Sequence, residues 1–474
     1  MRDGWSGERK TMDNLFEWIK KADNGDAEAQ WRVAWYIVWE DQNEPIEPDW
    51  LERALEYFEL SASQGYGDAM LDLGAMYCDG RGVERSKNKA LYWYKKAAEM
   101  LHPKAFRCLG YALEIPLGYL DPNDEYADYK TAFGYFLKGA ILDEPNSVYK
   151  LGDMYFSGKY VDVDRRFAFK LYEESYTYID SIDDDSYASV CLRLGECYYR
   201  GVGTNQDIVV AREYIENAIE GYKYRIERGD PPIFTDSGYN RANYLLNEIK
   251  LGHSIAQEVK SDGSDYLEFI NSEMLCYPKP QKQIVELEKL KAENPQIYVF
   301  NEISYFNDTL ASAEQGNNEA MYNIAFYCYN RFESEIDNND IIDFALYYYH
   351  KAIQCGHKGA MYNLGSIYYH GGSAIPVDRY KAYMLYLHSN ISFAKGQLGI
   401  YYAKGEIVKQ DYEQAFKCFA KCALQKVYLS YGSLANLAIM YRKGLFVDVD
   451  EKFAECCERL SKKVQEMMKD SIEY

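Results

Sequence analysis

Apolar and polar residues follow one another along this chain with the periodicity of short amphipathic helices. From Ala69, the run AMLDLGAMYCDG places Ala69, Leu73, Gly74 and Tyr77 four, one and three residues apart, which is one face of an α-helix. A glycine-bearing turn, DGRGV from Asp79, comes next, and KALYWYKKAAE from Lys89 then resumes the same period. The pattern predicts two antiparallel helices, A and B, joined by a tight turn.

The pair recurs. Taking the small residue of each "LG" as an anchor gives Ala34, Gly74, Gly110, Gly152, Gly195, Ala325, Gly365, Gly399 and Ala438. Successive spacings are 40, 36, 42, 43, 130, 40, 34 and 39 residues, so apart from one long gap the period is that of helical-hairpin repeats. Five residues before the anchor stand Ala29, Ala69, Ala105, Ser147, Val190, Ala320, Ala360, Ala394 and Ser433, nearly all small. Three residues after it stand Tyr77, Tyr155, Tyr198, Tyr368, Tyr402 and Tyr441. Helix B opens on Ala54, Ala90, Ala132, Ala168, Ala211, Ala345, Ala382, Ala415 and Ala454, with aromatics three and four residues on, as in Trp93/Tyr94 and Tyr348/Tyr349. Small residues one turn later, such as Ala97 and Ala352, are expected against the next hairpin. No hairpin buries such a face alone, so the units must stack.

The copy from Ala69, with Leu73, Gly74, Tyr77, Gly80, Gly82 and Val83, then Ala90, Trp93, Tyr94, Ala97 and Ala98, resembles the Sel1-like repeat family of the tetratricopeptide-like superfamily. The resemblance extends over about residues 25–230 and 305–462. It implies an all-α fold, an α/α solenoid wound as a right-handed superhelix, with helices A on its concave side. It also implies a protein-binding scaffold rather than an enzyme. The expected organisation is a capping segment over 1–24, a repeat block over 25–230, degenerate repeats or a helical insertion over 231–304, a second block over 305–462, and the end of a capping helix over 463–474. Asp13 to Lys21 and Glu451 to Lys469 have the amphipathic pattern of closing helices.

Composition narrows the function. Lys and Arg number 53 against 74 Asp and Glu, a formal charge of −21, which excludes the clustered basic surface that nucleic-acid binding draws on. No apolar run approaches the roughly 18 residues of a membrane span, and the first thirty residues, with only a short apolar patch from Leu15 to Ile19, are not expected to act as a secretory signal. Eleven cysteines at irregular spacings form neither a disulfide framework nor a metal knuckle, which fits a reducing, cytoplasmic compartment.

Candidate chemistry is sparse. His350, His357, His370 and His388 fall within one stretch, yet a metal site needs three or four ligands converging on one ion, and ordinary helix-end histidines explain them as well. Acidic runs from Asp180 and Glu333 lack the ordered ligands of a calcium loop. Cys418 and Cys422 share a helical face as buried thiols would, without the regular cysteine pair of secreted relatives credited with acting on β-lactams. No cofactor is expected.

The informative positions lie two residues before each anchor: Arg32, Asp72, Cys108, Lys150, Arg193, Asn323, Asn363, Gln397 and Asn436. With His370 and its equivalents five residues after the anchor, they draw a polar stripe along helix A. Asn323, Asn363, Gln397 and Asn436 form an amide ladder over four consecutive units, expected to hydrogen-bond an extended peptide flanked by Tyr327 and Tyr401. A generic solvated face is the plainer explanation. The expected partner is a protein or peptide with a basic or neutral segment, given the acidic chain. A regulator or immunity-type binder that masks one protein would use the same groove; a β-lactam-acting or metal-dependent hydrolase is the third alternative. Tyrosine, 48 of 474 residues, is accounted for mainly by the repeated positions.

Overall fold

The computed structural model describes residues 12–40, 48–114, 128–182, 184–230, 232–251, 300–332, 339–372, 375–425 and 430–472. The chain divides into two units, Met1–Val259 and Lys260–Tyr474. Among the described residues there are helices and turns but no strand.

In the first unit, α1 (Met12–Asp23) precedes five hairpins. These are α2 (Ala27–Trp35) with α3 (Pro48–Ser63), α4 (Gly67–Asp79) with α5 (Lys87–Glu99), α6 (Pro103–Glu114) with α7 (Tyr129–Ile141), α8 (Pro145–Ser157) with α9 (Arg165–Thr177), and α10 (Tyr187–Arg200) with α11 (Ile208–Glu227). Helix α12 (Pro232–Lys250) follows, packed on α11 as each helix A packs on the helix B before it. In the second unit α13 (Phe300–Glu314) precedes four hairpins: α14 (Asn318–Phe332) with α15 (Asn339–Gln354), α16 (Lys358–His370) with α17 (Arg379–Ser389), α18 (Ser392–Lys404) with α19 (Tyr412–Ala423), and α20 (Tyr431–Lys443) with α21 (Glu451–Ile472). The rest of the 231–304 interval, the Ser261 run, Pro278, Pro280 and Cys276 lie outside the described residues, as does most of the Glu333 run.

Close approach within each hairpin explains the anchors. The residue four places after the opening Ala of helix B covers the anchor of helix A. A Cβ built on Gly74 would stand 2.3 Å from the Tyr94 ring, one on Gly110 2.5 Å from Phe136, and one on Gly152 2.6 Å from Tyr172. The opening alanines themselves are all 0 or 1 % exposed, leaving no room for a larger side chain.

The turns are closed by local chemistry. Helices α4, α8, α10, α18 and α20 end on a left-handed glycine, for example Gly80 at φ 73° and Gly405 at φ 70°, a conformation that costs other residues steric strain. Six helices B start on an aspartate whose carboxylate accepts a backbone N–H of the first turn, Asp128, Asp164, Asp207, Asp378, Asp411 and Asp450, while α5 starts on Ser86. The backbone N–H of the cap donates to a tyrosine carbonyl at the end of helix A, as Asp164 does to Tyr155 and Asp411 to Tyr402.

Two packing details differ from the sequence reading. The small residue one turn along helix B faces its own helix A as well as the next one. Ser61, Ser175, Ser389 and Ser461 donate their hydroxyls to the carbonyls of Ala27, Pro145, Lys358 and Tyr431 at the start of the same hairpin's helix A. In addition, Tyr198 and Tyr402 are only half-buried, whereas Tyr77, Tyr155, Tyr368 and Tyr441 lie in the core. Tyr198 stacks on Tyr214 with ring centroids 5.9 Å apart, so it closes a seam at the surface. No helix among the described residues is long and apolar enough to cross a membrane.

Candidate interaction surface

Successive helices A touch one another directly, α2 with α4, α6 with α8, α10 with α12 and α14 with α16, while successive helices B make no comparable contact. These contacts put helices A toward the inner side of the stack in the first unit and, at α14 and α16, in the second. The position two residues before the anchor sits on that side, and the units use it differently.

In the first unit Asp72, Lys150 and Arg193 are bonded at this position to the neighbouring helix A, whereas Arg32 pairs with Glu28 on its own helix. Trp31 Nε1 donates to Asp72 Oδ2 at 2.7 Å. Lys150 Nζ lies 2.6 Å from Glu114 Oε2, Arg193 Nε 2.8 Å from Asp153 Oδ1, and Arg241 Nε 2.7 Å from Glu196 Oε1. Arg193 also meets Glu196 at 3.2 Å, so charges of alternating sign link α6, α8, α10 and α12. Burial pushes the Asp153 carboxyl upward, but Arg193 and Lys150 outweigh it and hold the group below the usual carboxylate range. Asp72 has no cation bonded to it: burial pushes it up to about 7, against the opposing hydrogen bond from Trp31. The polar stripe of this unit is thus engaged within the protein. Asp153 and Glu196 stand one residue after their anchors but Glu114 stands four after its own, so a search at one fixed offset does not find all three.

In the second unit the stripe is neutral and largely open. Asn363 Nδ2 donates to Tyr322 Oη of the preceding helix A at 3.1 Å, the same neighbour-to-neighbour bond that Trp31 and Asp72 make. Asn323, Gln397 and Asn436 are half-buried and make no hydrogen bond among the described residues. One turn further along the same face stand Phe326, Ser366, Ile400 and Ile439, with Phe326 46 % and Ile439 42 % exposed. This apolar row beside the amide row was missed in the sequence, although its place three residues after each ladder position was readable.

The other expected site residues separate. Tyr401 does not flank the groove: it is 1 % exposed, and its hydroxyl donates to the Arg379 carbonyl at 2.9 Å, so it is part of the core. Its place next to the +3 tyrosine turns it inward between Tyr369 and Tyr383. Tyr327 is half-buried against Phe306, with centroids 5.6 Å apart. His370 is exposed at the end of α16, its ring edge-on to Tyr369.

The histidines have separate structural roles. His350 is buried with Nδ1 2.6 Å from the Leu346 carbonyl, and burial lowers its proton affinity. His357 caps α16 by accepting the Ala360 N–H on Nδ1, while its Nε2 meets Glu319 and its ring stacks 4.5 Å from that of Tyr322. Among the described residues no group of three or more His, Cys, Asp or Glu is arranged to hold a metal ion. Burial raises the thiols of Cys191, Cys197 and Cys328, each to about 12, which makes them inert packing groups.

The repeated hairpin, with its anchor, cap and turn, decides the family. The Sel1 repeat model matches residues 27–66, 67–100, 145–177, 188–221, 318–357, 359–387, 393–426 and 433–455, more than half of the chain. The protein belongs to the Sel1 repeat family. Outside those matches, α6 and α7 form a further Sel1-type hairpin, since Gly110 and Phe136 reproduce the anchor contact. A curated relative, the ERAD-associated E3 ubiquitin-protein ligase component HRD3B of Arabidopsis thaliana, is 34 % identical over 114 residues, which is 24 % of this chain and 17 % of that protein. The aligned part is thus a small fraction of the relative's length. Among solved structures, a protective antigen of uropathogenic Escherichia coli with an SLR fold is 20 % identical, covering 94 % of this chain and 79 % of its own, at a TM-score of 0.38. A Sel1 repeat protein from Oxalobacter formigenes is 19 % identical over 50 % of this chain and 99 % of its own, at a TM-score of 0.36. Sel1 repeats generally mediate protein–protein interaction.

Proposed function

We propose that this protein is a non-enzymatic scaffold that captures a partner protein on the helix-A face of its second unit. The observation that carries this reading is the open amide ladder. Asn323, Gln397 and Asn436 retain hydrogen-bonding capacity on a half-buried face, where a partner's backbone supplies the missing bonds. In the first unit three of the equivalent positions, Asp72, Lys150 and Arg193, are instead bonded to neighbouring helices. A neutral segment suits this face better than a basic one. Residues 300–474, which carry the whole ladder, hold 18 Lys and Arg against 21 Asp and Glu and are far closer to neutral than the chain as a whole. Lys404 and Lys443 are exposed at the ends of α18 and α20. A reducing cytoplasmic setting suits the ten free thiols among the described residues.

The test is to isolate the partner with the intact chain, identify it by mass spectrometry, and measure its affinity for the wild type and for Gln397→Ala with Asn436→Ala. The expected result is at least a tenfold loss with unchanged helical circular dichroism. Undiminished affinity after replacement of all four ladder residues sinks the proposal.

A further inference from the structure

The inner face of the first unit pairs acid with cation, and Asp72 breaks the rule. On α8 and α10 the residue two before the anchor supplies a cation to an acid of the preceding helix A, Lys150 to Glu114 and Arg193 to Asp153. On α6 that place is held by Cys108, whose thiol burial pushes up and so keeps neutral. Asp72, on the preceding α4, is 3 % exposed and takes one bond, from Trp31 Nε1 to its Oδ2. Its Oδ1 has neither a hydrogen bond nor an ion pair among the described residues. The cations around it are engaged elsewhere or stand off. Arg32 of α2 pairs with Glu28 at 2.6 Å and lies 4.6 Å over the Trp18 ring, and His102 meets Asp68 at 3.4 Å. Lys104 of α6 acts on Asp72 through space without forming an ion pair with it. Asp68 lies one turn before Asp72 on the same face of α4, where two carboxylates repel each other. Beside them the half-buried rings of Trp31 and Tyr66 pack with centroids 5.4 Å apart.

We propose that the crease between α2 and α4 binds a primary ammonium group, supplied by a lysine side chain of a partner protein, with Asp72 Oδ1 as its main acceptor. The bond from Trp31 decides between the two basic side chains. A guanidinium fork pairs best with both oxygens of a carboxylate, and Oδ2 is already taken, whereas an ammonium is a point charge that one free oxygen satisfies. The four-carbon stem of a lysine lies along the Trp31 and Tyr66 rings while its charge reaches the buried acid, and Asp68 adds a second negative charge to the crease. Such a cation also relieves the cost of the site: burial pushes Asp72 up to about 7 in the free protein, and an ammonium at Oδ1 lowers it again. The site belongs to the first unit and does not depend on the amide ladder of the second.

The probes are three peptides labelled with fluorescein at the amino end, Gly-Ser-Gly-Lys-Gly-Ser-Gly-amide and its counterparts with arginine or norleucine in place of lysine, titrated with the full chain by fluorescence anisotropy at low salt. The lysine peptide is expected to bind at least tenfold tighter than either of the others. Asp72→Asn, which keeps an acceptor for Trp31, is expected to erase that preference, and Gln397→Ala/Asn436→Ala to leave it intact. Equal binding of the arginine peptide, saturation by none of the three, a preference that survives in Asp72→Asn, or one that is lost in the ladder variant overturns the inference. Capture of a partner on the second unit has its own variants and readout, so either reading can fail while the other stands.

Discussion

Asp72 gives the sharpest test of the packing in the first unit. Its carboxyl is 3 % exposed between α2 and α4, and the nearest bonded group is the Trp31 indole. Folding holds its proton up to a pH of about 7, whereas an unfolded chain releases it near 4. Because the native state binds the proton more tightly, Asp72 costs nothing below pH 4, and stability then falls as pH rises to about 7 and is level above it. A separation of about three units is worth roughly 4 kcal/mol at 1.36 kcal/mol per unit. Asp72→Asn keeps the shape and the acceptor for Trp31 but removes the titration. The variant is expected to gain on the wild type by up to about 4 kcal/mol between pH 4.5 and pH 7.5. Urea unfolding of both proteins at several pH values, followed by tryptophan fluorescence, measures the difference, and all other titrating groups cancel between them. The nearby Asp68, which meets His102 at 3.4 Å, is unchanged in both. A difference that stays flat within 1 kcal/mol across that range, or that falls with pH, refutes the argument.

Other outcomes follow from the same geometry. Gly152→Ala puts a methyl 2.6 Å from the Tyr172 ring and is expected to cost about 1–3 kcal/mol in thermal or urea unfolding. Asp153→Asn leaves Arg193 without its carboxylate and is expected to destabilise the first unit by roughly 3 kcal/mol, whereas Lys159→Ala at the exposed end of the ion-pair line changes stability by under 1 kcal/mol. Asp411→Ala removes the cap of α19 at a cost of about 1 kcal/mol, read by urea unfolding. Tyr401→Phe loses the bond to the Arg379 carbonyl, again about 1 kcal/mol, and leaves partner affinity unchanged because the residue is in the core.

The hairpin was legible because it is enforced at fixed offsets. The offsets within each helix are fixed, as from Ala90 to Tyr94 and from Ala132 to Phe136, because the same close approach is made in each unit, while the distance along the chain from anchor to cover varies from 20 residues at Gly74–Tyr94 to 26 at Gly110–Phe136. The inner face was legible only as polarity. Whether Lys150 or Asn323 serves the neighbouring helix or a ligand depends on what stands across from it one repeat away, and the acids that meet Lys150 and Arg193 occupy different offsets in their own repeats. Tyr401 was misplaced for a related reason. One residue of helical rotation separates a groove position from a core position, and the adjacent Tyr402 took the half-buried place instead.

The self-contained turn bears on how such an array can change its length. The junctions α8–α9, α10–α11, α16–α17, α18–α19 and α20–α21 are each closed by their own glycine, their own capping aspartate and a tyrosine carbonyl from the same hairpin, as at Asp164 and Tyr155. Removing or duplicating one whole hairpin therefore leaves no turn with a broken bond. Copy number can vary while those junctions stay intact, and the number of helices A on the inner face changes with it, one per hairpin. Cutting within a hairpin has no such tolerance, because the anchor and its covering aromatic lie on opposite sides of the cut.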